Sequence, residues 1–317
     1  MEVKIYQVDA FTSIPFGGNP AGVVLDAEGI PQEYMQKIAK EMNLSETAFV
    51  IPIDDYNYKV RFFTPVDEVD LCGHATIALF YTLAYKGYLP SITTGTITAY
   101  QETKVGKLPV DIYYKDGEID KIVMEQSPPK DLGQVKDIQP LLDCFNIGIE
   151  DIGIGRKLVY PQIVSTGLPD IIMPINKKEK LDNLKVDFHK LATLSKKLNV
   201  IGVHAFHLPE FNSDRVYTRN FAPLVGINEE AATGTSNGAL IYFLKKYGYI
   251  ERKEMLSFQG QSLNRPSVIY CMIDEVEGKY NVKVGGRAKV VLEGVLYFGS
   301  LSIFGVGFLS IPLHYYF

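Results

Sequence analysis

Glu46 is the residue whose type and setting most invite chemistry. It stands in Leu44-Ser45-Glu46-Thr47-Ala48-Phe49-Val50, where polar residues lead into an apolar strand. A carboxylate entering a buried strand is costly unless it is paired or used. Apolar surroundings would raise its pKa from a reference of about 4.3 and suit it to general acid/base work; the competing reading is a structural pairing with Arg61 or Arg219. His74 follows in Cys72-Gly73-His74-Ala75-Thr76, at an expected helix start, where an imidazole can donate to a substrate oxygen or share a proton. A satisfied structural histidine is the plain alternative. Cys72 is a third candidate, because a helix N-terminus lowers a thiol's pKa and favours the thiolate. Glu229 and Glu230 lead into a second such turn, Thr233-Gly234-Thr235-Ser236-Asn237; they could receive an ammonium or hydroxyl group, or simply favour the helix dipole. Other signals are weaker. His204-Ala205-Phe206-His207 has metal-like spacing without a recognisable third ligand, and Gly153-Ile154-Gly155 lacks the rest of a dinucleotide fingerprint. No metal and no cofactor are expected.

An internal repeat positions these residues. Cys72 to Leu89 lies over Thr233 to Ile250 without a gap, with identities at Gly73/Gly234, Ala78/Ala239, Leu79/Leu240, Tyr81/Tyr242, Leu83/Leu244, Gly87/Gly248 and Tyr88/Tyr249. Upstream, Arg61 to Pro65 lies over Arg219 to Pro223, and the loop Gly18-Asn19-Pro20 corresponds to Gly167-Leu168-Pro169. Met35, Ile38, Ala39 and Met42 recur at helical spacing after Pro31, while Tyr58, Val60, Phe62 and Val110, Ile112, Tyr114 alternate as half-buried strands. Asp116-Gly117 reads as a hairpin turn. The runs after Gly73 and Gly234 are apolar on nearly all faces, which marks buried helices. The pattern predicts an α+β protein of two similar halves, residues 1–128 and 129–297, joined by the Pro-containing stretch from Glu125 to Gly133, with the last strand free to cross back. If the halves face each other, the two helix N-termini converge on one cleft, where unpaired N–H groups can hold a carboxylate. The bland alternative makes Thr235 or Ser236 an N-cap and nothing more.

Composition bounds the partners. The 317 residues carry a net charge of −5 and are 46% hydrophobic and 22% charged, with no strongly basic stretch. That excludes disorder, disfavours nucleic acid and anionic membranes, and favours a small-molecule substrate. Cys72, Cys144 and Cys271 lie far apart, so no disulfide framework is expected. The first ten residues alternate like a strand rather than a signal peptide, which points to the cytoplasm. From Gly294 to Phe317 there is no charged residue, about the length that spans a bilayer. Its glycines, serines and Pro312, and the absence of a flanking Lys/Arg cluster, favour an apolar extension over 298–317 of no assigned role above a membrane anchor.

Together the motifs resemble a known family. Val8-Asp9-Ala10-Phe11-Thr12, Gly18-Asn19-Pro20, Asn43 to Val50, Asp70-Leu71-Cys72-Gly73-His74-Ala75-Thr76, Arg219 with Phe221-Ala222-Pro223, Ala232 to Thr235, Gln259-Gly260, Arg265-Pro266-Ser267 and Val284-Gly285-Gly286 are similar to the PhzF family of phenazine-biosynthesis-like isomerases, over about Val3 to Leu296. The resemblance implies the diaminopimelate epimerase-like fold, two pseudo-symmetric halves each wrapping a β-barrel-like sheet around a central helix. It also implies cofactor-free chemistry in the interdomain cleft and a homodimer. Glu46 matches the family's catalytic glutamate, which in the phenazine enzyme removes a proton from trans-2,3-dihydro-3-hydroxyanthranilate and returns it elsewhere on the ring. His74 matches a substrate-contacting histidine, and Asn19, Gly73, Glu230, Thr233, Gly234 and Thr235 complete the implied substrate-binding set. Two positions depart from the family pattern: Glu230 replaces an aspartate and Thr235 a serine. One added methylene moves a carboxylate by more than about an ångström, on the order of what costs 10²-fold when reacting geometry is fixed, so the phenazine precursor is expected to be a poor substrate. The leading expectation is a one-base isomerase acting on a small carboxylate-bearing metabolite. An amino-acid epimerase using Cys72, and a non-catalytic small-molecule-binding protein, are the alternatives.

Overall fold

The computed structural model describes residues 2–298; the extension expected over 298–317 therefore lies, apart from Phe298, outside the described residues. The chain opens with β1 (Glu2–Ala10), β2 (Asn19–Val24), α1 (Gln32–Met42), β3 (Thr47–Pro52), β4 (Asn57–Phe63) and β5 (Glu68–Val69). It continues through α2 (Gly73–Tyr85), β6 (Gly95–Thr103), β7 (Gly106–Lys115), β8 (Glu118–Glu125), β9 (Lys130–Gln134) and α3 (Gln139–Phe145). The order then recurs: β10 (Gln162–Ser165), β11 (Pro169–Pro174), α4 (Lys178–Asp182), α5 (Phe188–Leu198), β12 (Gly202–His207), β13 (Arg215–Ala222), β14 (Ile227–Glu230), α6 (Gly234–Lys246), β15 (Glu254–Gln259), β16 (Ser267–Val276), β17 (Lys279–Gly286) and β18 (Ala288–Tyr297). Among the described residues no helix is long and apolar enough to cross a membrane.

The strand pairings repeat with the order. β2–β3 is parallel, β3–β4 antiparallel, β4–β6 parallel and β6–β7–β8 antiparallel. β11–β12, β12–β13, β13–β15 and β15–β16–β17 follow the same sequence of directions. The two sets are laced together, because β18 pairs with β1, β9 with β10 and β17 with β8. The stretch from Glu125 to Gly133, read from sequence as a connector, is thus partly strand: Lys130–Gly133 lies in β9 and takes its partner from a strand beyond the reach of local patterning.

Each copy buries one long helix. In α2 and α6 most residues are buried, which accounts for their weak amphipathicity: a helix wrapped by sheet has little wet face. One contiguous core holds Ala75, Leu79 and Leu83 of α2 together with Leu240, Phe243 and Leu244 of α6. The flanking helices α1 and α5 are amphipathic and bury Met35, Ile38 and Ala39, and Leu191 and Leu194, in two satellite clusters. Both end on an asparagine in the left-handed region, Asn43 (φ 51°) and Asn199 (φ 54°), a conformation asparagine tolerates better than most residues. The turn after Asn43 delivers the chain to Glu46.

Candidate active site

Glu46 sits one residue before β3, its carbonyl accepting from Gly22 N at 3.0 Å. The pairings of Phe49 with Arg61 and of Ala205 with Arg219 fix the equivalent position in the second copy as Gly202. No side chain can replace that glycine without disruption, since a Cβ there would lie 1.9 Å from Phe221 O. Neither expected structural partner reaches Glu46. Arg61 is bidentate to Glu68 and Arg219 to Glu229, all four bonds at 2.8 Å. These are equivalent ion pairs of the two copies. Glu229 is thereby turned to Arg219 and Ser262, away from the group around Glu46 and His74.

Glu46 instead meets the start of α2. Its Oε2 lies 3.2 Å from His74 Nε2, and the side chains are 17% and 6% exposed. The alignment is poor, so both buried atoms lack a well-formed hydrogen bond. Cys72 Sγ is 3.4 Å from His74 Nδ1 and is also hydrogen-bonded to the Glu46 carboxyl. Burial raises the Glu46 pKa, partly offset by the thiol's bond. Burial likewise lowers that of His74, opposed by the charge of Glu230. The Cys72 thiol goes well above its usual value through burial and then through Glu46. The expectation of a helix-activated thiolate is therefore overturned: desolvation and an adjacent carboxylate outweigh the helix dipole. Donor atoms of Glu46, Cys72 and His74 all fall within 4.8 Å of one another. Burial disfavours the charged forms of the thiol and the carboxyl that would hold a cation there.

The facing side comes from the second copy. Glu230 closes β14, its Oε1 accepting from Asn19 Nδ2 at 2.9 Å and its Oε2 from Thr233 Oγ1 at 2.7 Å. Its pKa is raised by burial first, with His74 and the Thr233 bond pulling down and Glu46 pushing up. Asn19 also donates to Ala232 O at 2.9 Å, tying the β2 loop to the approach to α6. That loop is held from outside by Arg265, which donates to Gly18 O, Gly17 O and Asp9. Gly18 itself has φ +60°, and a Cβ would sit 2.1 Å from Ala10 O, so only glycine fits.

The helix starts correspond: the N-cap positions are Cys72 and Thr233, neither of whose side chains caps its helix. Thr235 and Ser236, read as possible N-caps, lie inside α6; the Thr235 carbonyl accepts from Thr166 and the Ser236 hydroxyl donates to Asp170. Gly73 and Gly234 leave the first-turn N–H groups unshielded by a Cβ. Thus Glu46, His74, Gly73, Cys72, Asn19, Glu230, Thr233 and Gly234 come together, and Thr235 sits half-buried one residue further on. The His204/His207 spacing makes no metal pair: His204 lies between Asn220 and Asn237, and His207 Nδ1 faces Ile175 O. Sequence reasoning missed Gln259 as a site residue. It donates to Thr233 Oγ1 at 3.2 Å and to Glu230 O at 2.8 Å; the sequence signal for it was its place in the motif Gln259-Gly260.

Two interleaved α+β copies, each wrapping its sheet around a buried helix, define the diaminopimelate epimerase-like fold, the fold of PhzF and proline-racemase-like proteins. The chain belongs to the PhzC-PhzF family of phenazine biosynthesis-like proteins, whose model matches residues 8–294. It is 37% identical to an uncharacterised isomerase of Clostridium acetobutylicum, over 92% of this chain and 97% of that one. It is 30% identical to the trans-2,3-dihydro-3-hydroxyanthranilate isomerase of Pseudomonas fluorescens, over 90% and 98%. Among solved structures, the PhzF family protein of Bacillus anthracis matches with a TM-score of 0.83 at 26% identity, over 94% of this chain and 100% of that one.

Proposed function

We propose that the chain is a cofactor-independent isomerase that moves a proton on a small carboxylate-bearing metabolite, with Glu46 as the general acid/base. The observation that carries this reading is the pair of buried, unsatisfied atoms Glu46 Oε2 and His74 Nε2, between helix starts that no side chain caps. Buried polar atoms normally have partners, and a substrate proton and oxygen would satisfy both. Glu46, its pKa raised by burial, is placed to take a proton from carbon and return it at another carbon. His74, kept neutral by the same burial, donates to the substrate from Nε2 while its Nδ1 faces the Cys72 thiol. The N–H groups at Gly73 and Gly234 receive the carboxylate, and Glu230 with Asn19 and Thr233 orients a polar group at the other end.

The relatives named isomerases, one of them acting on trans-2,3-dihydro-3-hydroxyanthranilate, make that dihydroaromatic acid the first substrate to test. The epimerase alternative needs a second base opposite Cys72. That position is Thr233, whose hydroxyl is committed to Glu230, which argues for one base. The test is proton NMR in D₂O with that acid and a panel of amino acids, for wild type beside Glu46→Gln. Deuterium uptake that depends on Glu46 is expected; undiminished turnover by Glu46→Gln refutes its role. Binding without exchange across the panel would favour a non-catalytic binding protein.

A further inference from the structure

A row of buried polar side chains in the second copy has no counterpart in the first. The strand pairings and helix alignment place Asp170 opposite Ala21, His204 opposite Ala48, Asn220 opposite Phe62 and Ser236 opposite Ala75. All four polar residues are 3% exposed or less. The first copy fills the same core positions with apolar groups, so the fold itself does not call for polar ones, and burying them has a cost unless they are connected.

They are connected, in two arms that branch at Asn220. Asn220 Nδ2 donates to Ser236 Oγ at 3.0 Å and meets His204 Nδ1 at 3.2 Å, and Ser236 donates to Asp170. An amide NH₂ has only donors, so His204 Nδ1 is the acceptor and its proton sits on Nε2. Nε2 faces Asn237 Oδ1 at 3.4 Å, and Asn237 Nδ2 donates to Gln259 Oε1 at 2.9 Å. Gln259 Nε2 then donates to Thr233 Oγ1, whose remaining proton goes to Glu230 Oε2. Along the arm through His204 every donor points toward the active-site carboxylate, and such chains polarise one another.

We propose that His204, with Asn220, Asn237 and Gln259, is a positioning relay that fixes the Thr233 hydroxyl as a donor to Glu230. It thereby holds Glu230 as the accepting carboxylate of the site while Glu46 carries the exchanged proton. The assignment of Glu46 rests on the function proposed above; the relay to Glu230 does not. The titratable groups facing Glu230 are Glu46, Cys72 and His74, and the first of these acts against its charged form. Two donors on its two oxygens oppose that repulsion, and the relay fixes one of them. Two carboxyls held in different environments can take separate roles, one protonated and one accepting.

The first copy supplies the control. Asp170→Ala, His204→Ala, Asn220→Phe and Ser236→Ala together transplant its apolar set into the second, and His204→Ala alone is the smaller change should the combined variant fail to fold. In protein labelled with ¹³C-glutamate, the side-chain carboxyl of Glu230, identified by its loss in Glu230→Gln, is titrated by NMR without substrate. A rise of its apparent pKa on the order of one pH unit in the folded variants is expected. An unchanged Glu230 titration in whichever variant folds overturns the relay and leaves the row as core filling. Where trans-2,3-dihydro-3-hydroxyanthranilate is turned over, kcat should fall about tenfold with folding intact, and an unchanged kcat and pH profile would also overturn it. If wild type fails to exchange any substrate proton while the Glu230 titration still shifts, the isomerase reading falls and the relay stands.

Discussion

Replacing Glu46 with glutamine should make the protein more stable as well as inactive, and the gain should grow with pH. Glu46 is buried except for 17% of its side chain, and burial is the first cause of its raised pKa. A carboxyl whose folded pKa lies above its unfolded value gives the fold a contribution that is fully present below the unfolded pKa, about 4.3. That contribution is lost as pH rises through the folded value, because ionising the buried group is harder than ionising it in the open chain. Each unit of the rise removes about 1.4 kcal/mol at pH 8. Glutamine keeps the shape and an oxygen to accept from Cys72, yet never ionises. It also removes the charge that pushes Glu230 upward, which acts in the same sense. With an unfolding entropy of about 2.1 cal/mol/K per residue, each such unit corresponds to roughly 2 °C in Tm for this chain. Urea unfolding and thermal melts of both proteins at pH 4 and pH 8 measure the difference. A stability gap between Glu46→Gln and wild type that stays constant from pH 4 to pH 8 refutes the reasoning, since Glu46 would then ionise in the fold as easily as in water.

Three further outcomes follow from the same contacts. Glu230→Asp withdraws the carboxylate by about one C–C bond, roughly 1.5 Å, stretching its bonds to Asn19 and Thr233, now 2.9 and 2.7 Å, beyond bonding range. Its kcat/KM on the wild-type substrate should fall on the order of 10²-fold in steady-state assays. Arg219→Ala breaks the bidentate bond to Glu229 and strands the carbonyls of Leu181 and Leu184; because both charged side chains are about nine-tenths buried, urea titration should show a loss of about 3–5 kcal/mol. The equivalent Arg61→Ala, at a more exposed arginine, should lose less. Gly202→Ala forces a Cβ onto the Phe221 carbonyl and should destabilise by more than about 3 kcal/mol, seen as insolubility or a collapsed melting transition.

The repeat was legible because it lies in local patterns: helix starts at Gly73 and Gly234, alternating strands, and arginines at matched offsets. Those patterns also carried the site, since Glu46, His74 and Glu230 each stand at an element boundary that periodicity marks. What sequence could not supply was anything decided by pairing across the chain. Lys130 to Gly133 has no strand signature of its own and becomes β9 through β10. Glu229 and Glu230 are neighbours with opposite fates, one turned to Arg219 and the other to Asn19, because adjacent strand residues face opposite sides of the sheet. The direction of the Cys72 shift was misread for a related reason. The helix start is visible in the sequence, while the carboxyl beside the thiol comes from twenty-six positions upstream and is visible only in the fold.

The two copies keep the same helix starts but differ in what surrounds them, and the differences are not interchangeable. In the first copy a carboxyl, Glu46, stands one residue before β3. At Gly202 the backbone of β13 passes too close for any side chain, so a carboxyl equivalent to Glu46 can stand in the first copy alone. The second copy carries its carboxyl instead on β14, at Glu230, where the side chain points at the same space from the opposite wall and its oxygens are already claimed by Asn19 and Thr233. The acceptor is thus tied down and Glu46 is left with an unsatisfied oxygen. The buried polar row from Asn220 to Gln259 ends at Glu230, the carboxyl proposed above as the fixed acceptor.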